Sequence, residues 1–352
     1  MVVMKDVAEA AGVSTATVSR VLNKSADVDP ALVERVMTAV QRLRYKPNLT
    51  ARGLRTQSTP VLALIISDIE NPFFTSVCRG VEDVARRAGY SVMLCNADGD
   101  LQKETDYISM LSSQNVAGVI ISPAAFESTD VTPLTERGIN ILTIDRVLPI
   151  ATDGVQINNK LGSRIATQHL LSSGARRVAC ITGPRHASTA RDRLAGYVEA
   201  LEAAGLEADQ DLQIYADFKD EGGYHAVGVL LEMEDPPDAI FVTNNRMTTG
   251  ALHALMEYKI SIPDDVSLVG FDDLPWADIV SPSITTVRQP SYEMGTAAAR
   301  KLIERLEGDD SPPQTILFDP ELIVRGSSVK ARTVRPPLKQ KNGLINTKTP
   351  RN

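Results

Sequence analysis

From Val61 onward, short apolar runs alternate with helical segments, and this alternation restricts the fold of the 352-residue chain more than any other feature. Continuous apolar runs of this kind are typical of strands buried on both faces of a parallel sheet. The alternation begins again near residue 155, so the chain carries two successive sets of βα units. The predicted strands lie at 61–66, 91–95, 118–121 and 141–144 in the first set and at 177–181, 212–215, 239–242 and 266–270 in the second. The fold class is therefore α/β, with two doubly wound parallel-sheet subdomains side by side.

Three late segments, at 284–287, 292–306 and 321–324, indicate that the chain crosses back between the two subdomains before it ends. The stretch 330–352 contains Pro336, Pro337 and Gly343 but few apolar residues, and we expect it to be a disordered basic tail. It lacks the leucine heptads of a helical tetramerisation segment, which favours a homodimer.

Ligands of open α/β sheets bind beyond the carboxyl ends of the strands. Here the residues that follow the predicted strands are acids, arginines, amides and aromatics, which together suit a sugar or another polyhydroxylated molecule. They stand at 68–74, 145–146, 182–193, 217–218, 244–245, 270–273 and 289. Neither a glycine-rich phosphate loop nor a nucleophile elbow nor a metal motif accompanies them, so the sequence favours a binding domain without cofactor or metal over an enzyme. Asp/Arg pairs at strand ends can also perform acid–base chemistry, so turnover of a sugar would overturn this interpretation.

Charge is distributed unevenly along the chain. The formal net charge is −7, but residues 1–60 carry +4 and residues 330–352 carry +7, which leaves −18 for the remainder. An acidic body with a basic N-terminal segment is typical of a DNA-binding module on a body that does not bind DNA. We find no apolar run of 18 residues and no secretion signal, and we expect a cytoplasmic protein without a membrane segment. The cysteines, Cys78, Cys95 and Cys180, are expected to be reduced and buried.

The N-terminal stretch predicts two short amphipathic helices that meet at Gly12, because apolar residues recur at spacings of three and four on either side of it. Gly12 can end the first helix in the left-handed conformation, and Ser14 can cap the second. Val18 and Leu22 are predicted to face the core. The same spacing also occurs in helical hairpins that never meet DNA; in a helix-turn-helix, the second helix would enter the major groove. The candidate DNA-contacting residues are Ser14, Thr15, Ala16, Thr17, Ser19, Arg20 and Asn23.

This stretch resembles the headpiece of the LacI/GalR family of bacterial transcription regulators, because Asp6–Ala8, Ala11–Ser14 and Thr17–Asn23 reproduce the family's characteristic words. A third helix, beginning at Pro30, would complete a three-helix domain. The resemblance implies a hinge helix within 48–60 that places Leu54 in the minor groove of operator DNA, with Arg52 and Arg55 on phosphates, when two copies meet. Taken without the resemblance, the same segment is a flexible linker.

The resemblance extends over about residues 2–329 and includes the periplasmic sugar-binding proteins, whose body has the same α/β organisation. The effector-binding residues it implies are Asn71, Phe73, Phe74, Asp145, Arg146, Arg191, Phe218, Asn244, Asp272 and Gln289. Some of these positions have other interpretations: the two aspartates can cap helices or turns, the Phe73–Phe74 pair can belong to the core, and Tyr215 or Tyr224 can replace Phe218 as the ring. Where the family commonly has Asn-Asp, this chain has Asn244-Asn245, which removes a carboxylate beside the site.

The sequence therefore predicts a DNA-binding transcriptional regulator, in the first instance a repressor, that binds a palindromic operator as a homodimer under the control of a sugar-like effector. The predicted domains are a headpiece over 1–47, a hinge over 48–60, an effector-binding and dimerisation domain over 61–329 and the tail over 330–352. The alternatives are a transport-type sugar-binding protein without a regulatory role and a regulator that depends on a purine-type corepressor.

Overall fold

Three helices form the N-terminal part of the chain. The structure, a computed structural model, describes residues 4–22, 29–43 and 59–329. The helices are α1 (Met4–Ala11), α2 (Thr15–Leu22) and α3 (Pro30–Leu43). Val7, Ala11, Val18 and Val36 are buried where the helices face one another, as the three-and-four spacing predicts. At the start of α3, the Asp29 side chain accepts the backbone N–H of Ala31 at 2.9 Å.

Residues 59–329 form two lobes, each built on a six-stranded sheet. The elements of the first half are β1 (Thr59–Ile66), α4 (Pro72–Arg87), β2 (Ser91–Asn96), α5 (Leu101–Gln114), β3 (Val116–Ile121), α6 (Thr132–Thr135), β4 (Asn140–Ile144) and β5 (Asp153–Ile157). Those of the second half are α7 (Asn159–Ser172), β6 (Val178–Thr182), α8 (Ser188–Ala203), β7 (Gln213–Tyr215), α9 (Asp220–Leu231), β8 (Ala239–Val242), α10 (Asn245–Glu257), β9 (Ser267–Phe271), β10 (Thr285–Arg288), α11 (Ser291–Leu306), β11 (Thr315–Phe318) and β12 (Glu321–Ile323). Short 3₁₀ turns stand at Gln210–Leu212 and Gly326–Ser328.

The N lobe contains the sheet β11-β5-β4-β3-β1-β2, and the C lobe contains the sheet β12-β10-β9-β8-β6-β7. All pairings are parallel except that of β10 with β12. Helices cover both faces of each sheet, and separate apolar clusters fill the space between sheet and helices on each side. The α/β prediction, with two doubly wound subdomains, is confirmed.

The chain crosses between the lobes three times. It leaves the N lobe after β5, returns after β10 when α11 packs on α4, and leaves again between β11 and β12. The returning helix α11 and the N-lobe helix α4 approach closely. A Cβ on Gly80 would collide with the backbone carbonyl of Tyr292, and a Cβ on Gly295 would collide with that of Val77. Glycine is therefore required at both positions, and the crossing predicted from the late segments is confirmed.

One detail of the predicted strand order is wrong. The second set of units was placed from about residue 155, but β5 lies there and pairs with β4 and β11 in the first sheet. Neither β5 nor β11 was predicted as a strand. The reason is visible in β5, where Asp153 and Gln156 interrupt the apolar run: Asp153 forms an ion pair with Arg305 at 2.7 Å, so a polar residue is stabilised inside the strand.

Candidate functional site

The turn between α1 and α2 has the geometry of a helix-turn-helix. Gly12 has a left-handed φ of 63°, and the Ser14 hydroxyl accepts the backbone N–H of Thr17 at 3.1 Å, as predicted. Arg35 of α3 donates to the carbonyl oxygens of Ala11 at 2.6 Å and Gly12 at 3.2 Å. The third helix thus fixes the end of the first and the start of the second.

The start of α2 presents small polar side chains to solvent. Ser14, Thr15, Ala16 and Arg20 are exposed, while Thr17 is half-buried and its hydroxyl contacts that of Ser14 at 2.9 Å. An exposed, rigidly capped helix start of this kind can enter a major groove. The remaining predicted DNA contacts fall outside the described part of the chain. They are Asn23, Arg52, Leu54, Arg55 and the side chain of Ser19. The side chain of Leu22, predicted to face the core, also lies outside it.

A polar cleft lies between the two lobes, where the carboxyl ends of both parallel sheets meet. The space between its walls, including the part that opens to solvent, is about 540 Å³. Nine of the ten predicted effector residues line it. They are Asn71, Phe73, Phe74, Asp145, Arg146, Phe218, Asn244, Asp272 and Gln289.

Two carboxylates face the cleft from opposite lobes. Asp145 follows β4 and Asp272 follows β9, and both are buried, at 7% and 5% exposure. Burial raises the pKa of each carboxyl, against the opposing effect of the neighbouring arginines. Asp272 accepts hydrogen bonds from the Gln289 side chain and from the backbone N–H of Asn245, the first residue of α10. Asp272 therefore also accepts a backbone N–H at the start of α10, which is the alternative role that the sequence allows for this aspartate.

Backbone strain is concentrated around this cleft. Asp98, Asp145, Phe218 and Asp272 all line it and all have left-handed φ values, of 59°, 65°, 66° and 70°. Residues other than glycine adopt this region at a cost of about 1–3 kcal/mol each, and such residues cluster at ligand sites. The strand exits are thus bent so that these side chains turn into the cleft.

Two guanidinium groups accompany the carboxylates, and one of them is not the arginine that the sequence predicted. Arg146 is buried, and its Nε has no hydrogen-bond partner among the described residues. The second is Arg193, which is 3% exposed and donates to the Asn159 side chain at 2.7 Å and to the Thr243 carbonyl at 2.6 Å. It lies 3.9 Å from the Asp272 carboxylate and stacks on the Phe271 ring at 3.8 Å.

The prediction placed Arg191 in the cleft, and the structure does not. Its side chain is 57% exposed and lies over the ring of Phe126, with 5.2 Å to the ring centroid. Two positions along a helix correspond to a rotation of about 200°, so Arg191 and Arg193 of α8 point in nearly opposite directions. The buried stripe Thr189, Arg193 and Tyr197 repeats every four residues, and this periodicity identifies Arg193 from the sequence.

Aromatic rings line both sides of the cleft. Phe73 and Phe74 pack edge to face at 5.0 Å and belong both to the N-lobe core and to the cleft wall. Phe218 lies across from them; its ring rests on Gly183, where a Cβ would collide, and 5.5 Å from the Arg146 guanidinium. The alternatives Tyr215 and Tyr224 do not line the cleft. A sugar ring can pack its apolar face on such side chains.

The amides divide between structural and open positions. Asn71 caps α4 and Asn244 caps α10, accepting the backbone N–H groups of Phe73 at 2.9 Å and Met247 at 2.8 Å. The Gln289 Oε1 atom, in contrast, is buried without a partner among the described residues. Because buried polar atoms are almost always paired, Gln289 Oε1 and Arg146 Nε are atoms that a polar ligand in the cleft can bind.

Several cleft residues lie outside the predicted effector set. Asp68, Thr189, Arg193 and Asp217 belong to the predicted strand-end stretches, whereas Ser67, Asp98, Gly99 and Lys219 do not. Glu104 does not line the cleft but supports its wall. Its buried carboxylate accepts the Ala124 N–H at 2.7 Å and the Thr129 hydroxyl at 2.5 Å. These bonds fix the loop whose Pro123 carbonyl accepts a hydrogen bond from the Arg146 guanidinium at 3.2 Å. No strand-end rule identifies a residue that acts through a loop.

None of the helices within residues 4–22, 29–43 and 59–329 is both long and apolar enough to cross a membrane. In the same parts of the chain, no three His, Cys, Asp or Glu side chains are grouped so that they could hold a metal ion.

A capped helix-turn-helix followed by a two-lobed α/β body with a polar cleft defines a DNA-binding regulator that responds to a small molecule. Comparison with known proteins agrees. Residues 3–48 match the model of bacterial regulatory proteins of the lacI family, and residues 167–328 match a periplasmic binding protein-like domain. The ribose operon repressor of Escherichia coli K12 is 35% identical over 334 residues, covering 93% of this chain and all of the relative.

Two other relatives show the same extent of similarity. The HTH-type transcriptional repressor PurR of Photobacterium profundum is 33% identical over 93% of this chain and 98% of its own length. The solved transcriptional regulator CelR in complex with cellobiose is 33% identical, with a TM-score of 0.72 over 93% of this chain and all of that one. The chain belongs to the LacI family of bacterial transcription regulators, and its relatives are repressors.

Proposed function

We propose that this regulator is a repressor that binds operator DNA as a homodimer and that a small uncharged sugar of the ribose class, held between the lobes, controls its affinity for the operator. The observation that carries the proposal is the set of two buried carboxylates and two buried guanidinium groups, Asp145, Asp272, Arg146 and Arg193, which face one cleft from both lobes. Carboxylates accept from paired hydroxyl groups, and a guanidinium donates to two oxygens at once.

The charges of this set favour an uncharged ligand. Five carboxylates and three cations line the cleft, and both Arg193 and Arg146 already lie near a carboxylate, at 3.9 Å from Asp272 and Asp145 respectively. A phosphorylated sugar would add about two negative charges to a lining that already carries more carboxylates than cations. The ribose operon repressors among the relatives support the choice of a pentose.

A purine-type ligand is the second candidate, since a PurR repressor is also among the relatives. Calorimetric titration of the purified chain with D-ribose, other pentoses, ribose 5-phosphate and purine bases separates the two. We expect D-ribose to bind and to raise the melting temperature in proportion to the logarithm of ligand over Kd, with no response to ribose 5-phosphate. Binding of purines or sugar phosphates in place of free sugars would overturn the proposed ligand class.

The same proposal places the protein in the cytoplasm, on chromosomal DNA when it is bound to its operator, and assigns it no catalytic role. Arg193 is held by the Asn159 side chain and the Thr243 backbone carbonyl, and Asp272 and Asp145 each lie near an arginine, an arrangement that suits recognition. Incubation with each bound sugar, followed by product analysis, tests the absence of catalysis: any turnover that is lost in Asp145→Asn would contradict it.

A further inference from the structure

The rim of the cleft carries a second group of contacts between the lobes, beside the four charged residues that carry the proposed function. We call this group the clasp. It joins Lys219, Asn245 and Arg246 of the C lobe to Asp68, Glu70, Asn71 and Asp98 of the N lobe. The N-lobe members follow β1 and β2, and the C-lobe members precede α9 or begin α10, so the clasp spans the opening between the sheets.

Arg246 makes the main charged contact of the clasp. Its Nη1 donates to the Glu70 carboxylate at 2.8 Å and lies 3.5 Å from that of Asp68. On its own lobe, Asp220 accepts from Arg246 Nη2 at 2.8 Å and from Nε at 3.0 Å. Asp220 thus holds the guanidinium in place, and the ion pairs raise the pKa of Arg246 further above its ordinary range. Arg246 and Glu70 do not line the cleft.

Lys219 adds a parallel contact at the mouth of the cleft. Its ammonium group donates to Asp98 at 2.7 Å and to Asp68 at 3.2 Å, both on the opposite lobe. These contacts raise the lysine pKa despite its burial and lower that of Asp98. Two cations of one lobe therefore face three carboxylates of the other.

Asn245 supplies a buried, uncharged contact between the ion pairs and the ligand residues. Its Nδ2 donates at 2.8 Å to Asn71 Oδ1, which also accepts the Phe73 N–H. This bond requires a side-chain donor, and an ionised aspartate has none. The Asn-Asn pair, which departs from the family's Asn-Asp, thus gives this chain a donor that bridges the lobes.

We propose that the clasp sets effector affinity by stabilising the closed arrangement of the lobes, and that Arg246, Glu70 and Asn245 are positioning residues that act without touching the effector. This inference rests on the proposed function of the cleft. The contacts join residues of different lobes, so they exist only when the lobes are closed. When the competent state is a fraction of the population, apparent affinity is reduced by that fraction, and removal of the clasp lowers it.

The proposal makes an unusual prediction for an uncharged ligand. Direct binding of a neutral sugar gains nothing from low ionic strength, but ion pairs between the lobes are screened by salt. Effector affinity should therefore fall as salt rises. In variants that lack the ion pairs, effector affinity should no longer depend on salt, while the contacts that the sugar itself makes should remain.

The test is calorimetric titration of the full chain with D-ribose at about 0.02 M and about 0.5 M NaCl. We expect Arg246→Gln and Glu70→Gln each to weaken binding about five- to tenfold at low salt and about twofold or less at high salt, with the double variant no weaker than either alone. The control is Arg177→Gln, which removes ion pairs with Asp209 and Asp235 inside the C lobe. It should bind as wild type at both salt concentrations. Equal loss for Arg246→Gln at both salts, or additive losses in the double variant, would overturn the clasp.

A second measurement does not depend on the ligand. Spin labels at the exposed positions Ser113 of the N lobe and Glu234 of the C lobe report the separation of the lobes without effector. We expect a broader and longer distance distribution in Arg246→Gln than in wild type at low salt. If wild type binds no sugar, the proposed function fails while this distance still tests the clasp; an unchanged distribution overturns the clasp.

Discussion

Arg191 and Arg193 are two residues apart on one helix, but the structure places Arg193 in the cleft and Arg191 on the surface. We predict that Arg193→Met removes effector binding and lowers the free energy of unfolding, whereas Arg191→Met does neither. Methionine keeps an unbranched apolar stem in both places, so the variants differ from wild type chiefly by loss of the guanidinium. In the N-terminal half of α8, only Arg193 is buried against the cleft carboxylates.

The magnitudes follow from the contacts. Arg193 donates two charged hydrogen bonds, to Asn159 and to the Thr243 carbonyl, each worth about 1.5–3 kcal/mol. Asp272 loses a cationic neighbour whose charge lowers its pKa, so the pKa of this buried carboxyl should rise further. We expect a loss of about 3–4 kcal/mol for Arg193→Met. For the exposed Arg191, the expected loss is below about 1 kcal/mol.

Guanidinium denaturation and calorimetric titration with D-ribose give both quantities. Arg193→Met should bind at least about 100-fold more weakly, equivalent to about 2.7 kcal/mol, and Arg191→Met should stay within about threefold of wild type. Arg193→Lys keeps the charge without the planar fork and serves if the methionine variant does not fold; it should also bind weakly. Loss of binding in Arg191→Met, or full binding in Arg193→Met, would refute the assignment.

Three further predictions concern the operator, the dimer and pH. Leu54→Ala should weaken specific operator binding at matched salt and leave ribose binding intact, because it removes the expected minor-groove wedge; equal operator affinity in a gel-shift titration would contradict the hinge. Ile279 is 79% exposed beside a small apolar cluster, so Ile279→Asp should raise the dimer dissociation constant measured by sedimentation, and an unchanged constant would place the dimer contact elsewhere. Burial raises the pKa of Asp145 and Asp272 above the ordinary 3.8, so on acidification the folded protein takes up protons at these groups before the unfolded chain does. Acidification from pH 7 toward 3.8 should therefore raise the melting temperature of the effector-free protein and lower its affinity for ribose. Ribose affinity that does not change with pH would show that the ionised carboxylates do not accept from the ligand.

The sequence was sufficient for the fold wherever buried strands are purely apolar. The run at 61–66 marks β1 because each of its last five residues is buried, and the same holds for β8 and β9. It was insufficient for β5, where Asp153 is stabilised by Arg305 from a helix 152 positions further along the chain. A partner at that distance leaves no local pattern.

The residues of the candidate site that the sequence could predict are those at the ends of the buried strands. Residues at strand exits, such as Asp145 and Asp272, were found because parallel strands bring their carboxyl ends together. Arg193 lies in the strand-end stretch 182–193 but was not chosen, because the strand-end rule does not say which face of α8 turns inward. Lys219 and Arg246 could not be inferred, since their partners lie on the other lobe and depend on how the lobes close.

The position of β1 connects the cleft to the DNA-binding end of the chain, and a reciprocal effect follows from this. The strand begins at Thr59, within the last two residues of the predicted hinge over 48–60, and ends at Ile66, two residues before the clasp residue Asp68. Closure of the lobes therefore acts on the element to which the hinge is joined. If effector and clasp both favour the closed arrangement, Arg246→Gln without effector should change operator affinity in the direction opposite to that caused by ribose in wild type. By linkage, operator DNA must also change wild-type ribose affinity by the same factor that ribose changes operator affinity, typically about 5–150-fold. Fluorescence anisotropy with labelled operator measures both effects. A shift of Arg246→Gln in the same direction as ribose would show that closure and effector act on different states.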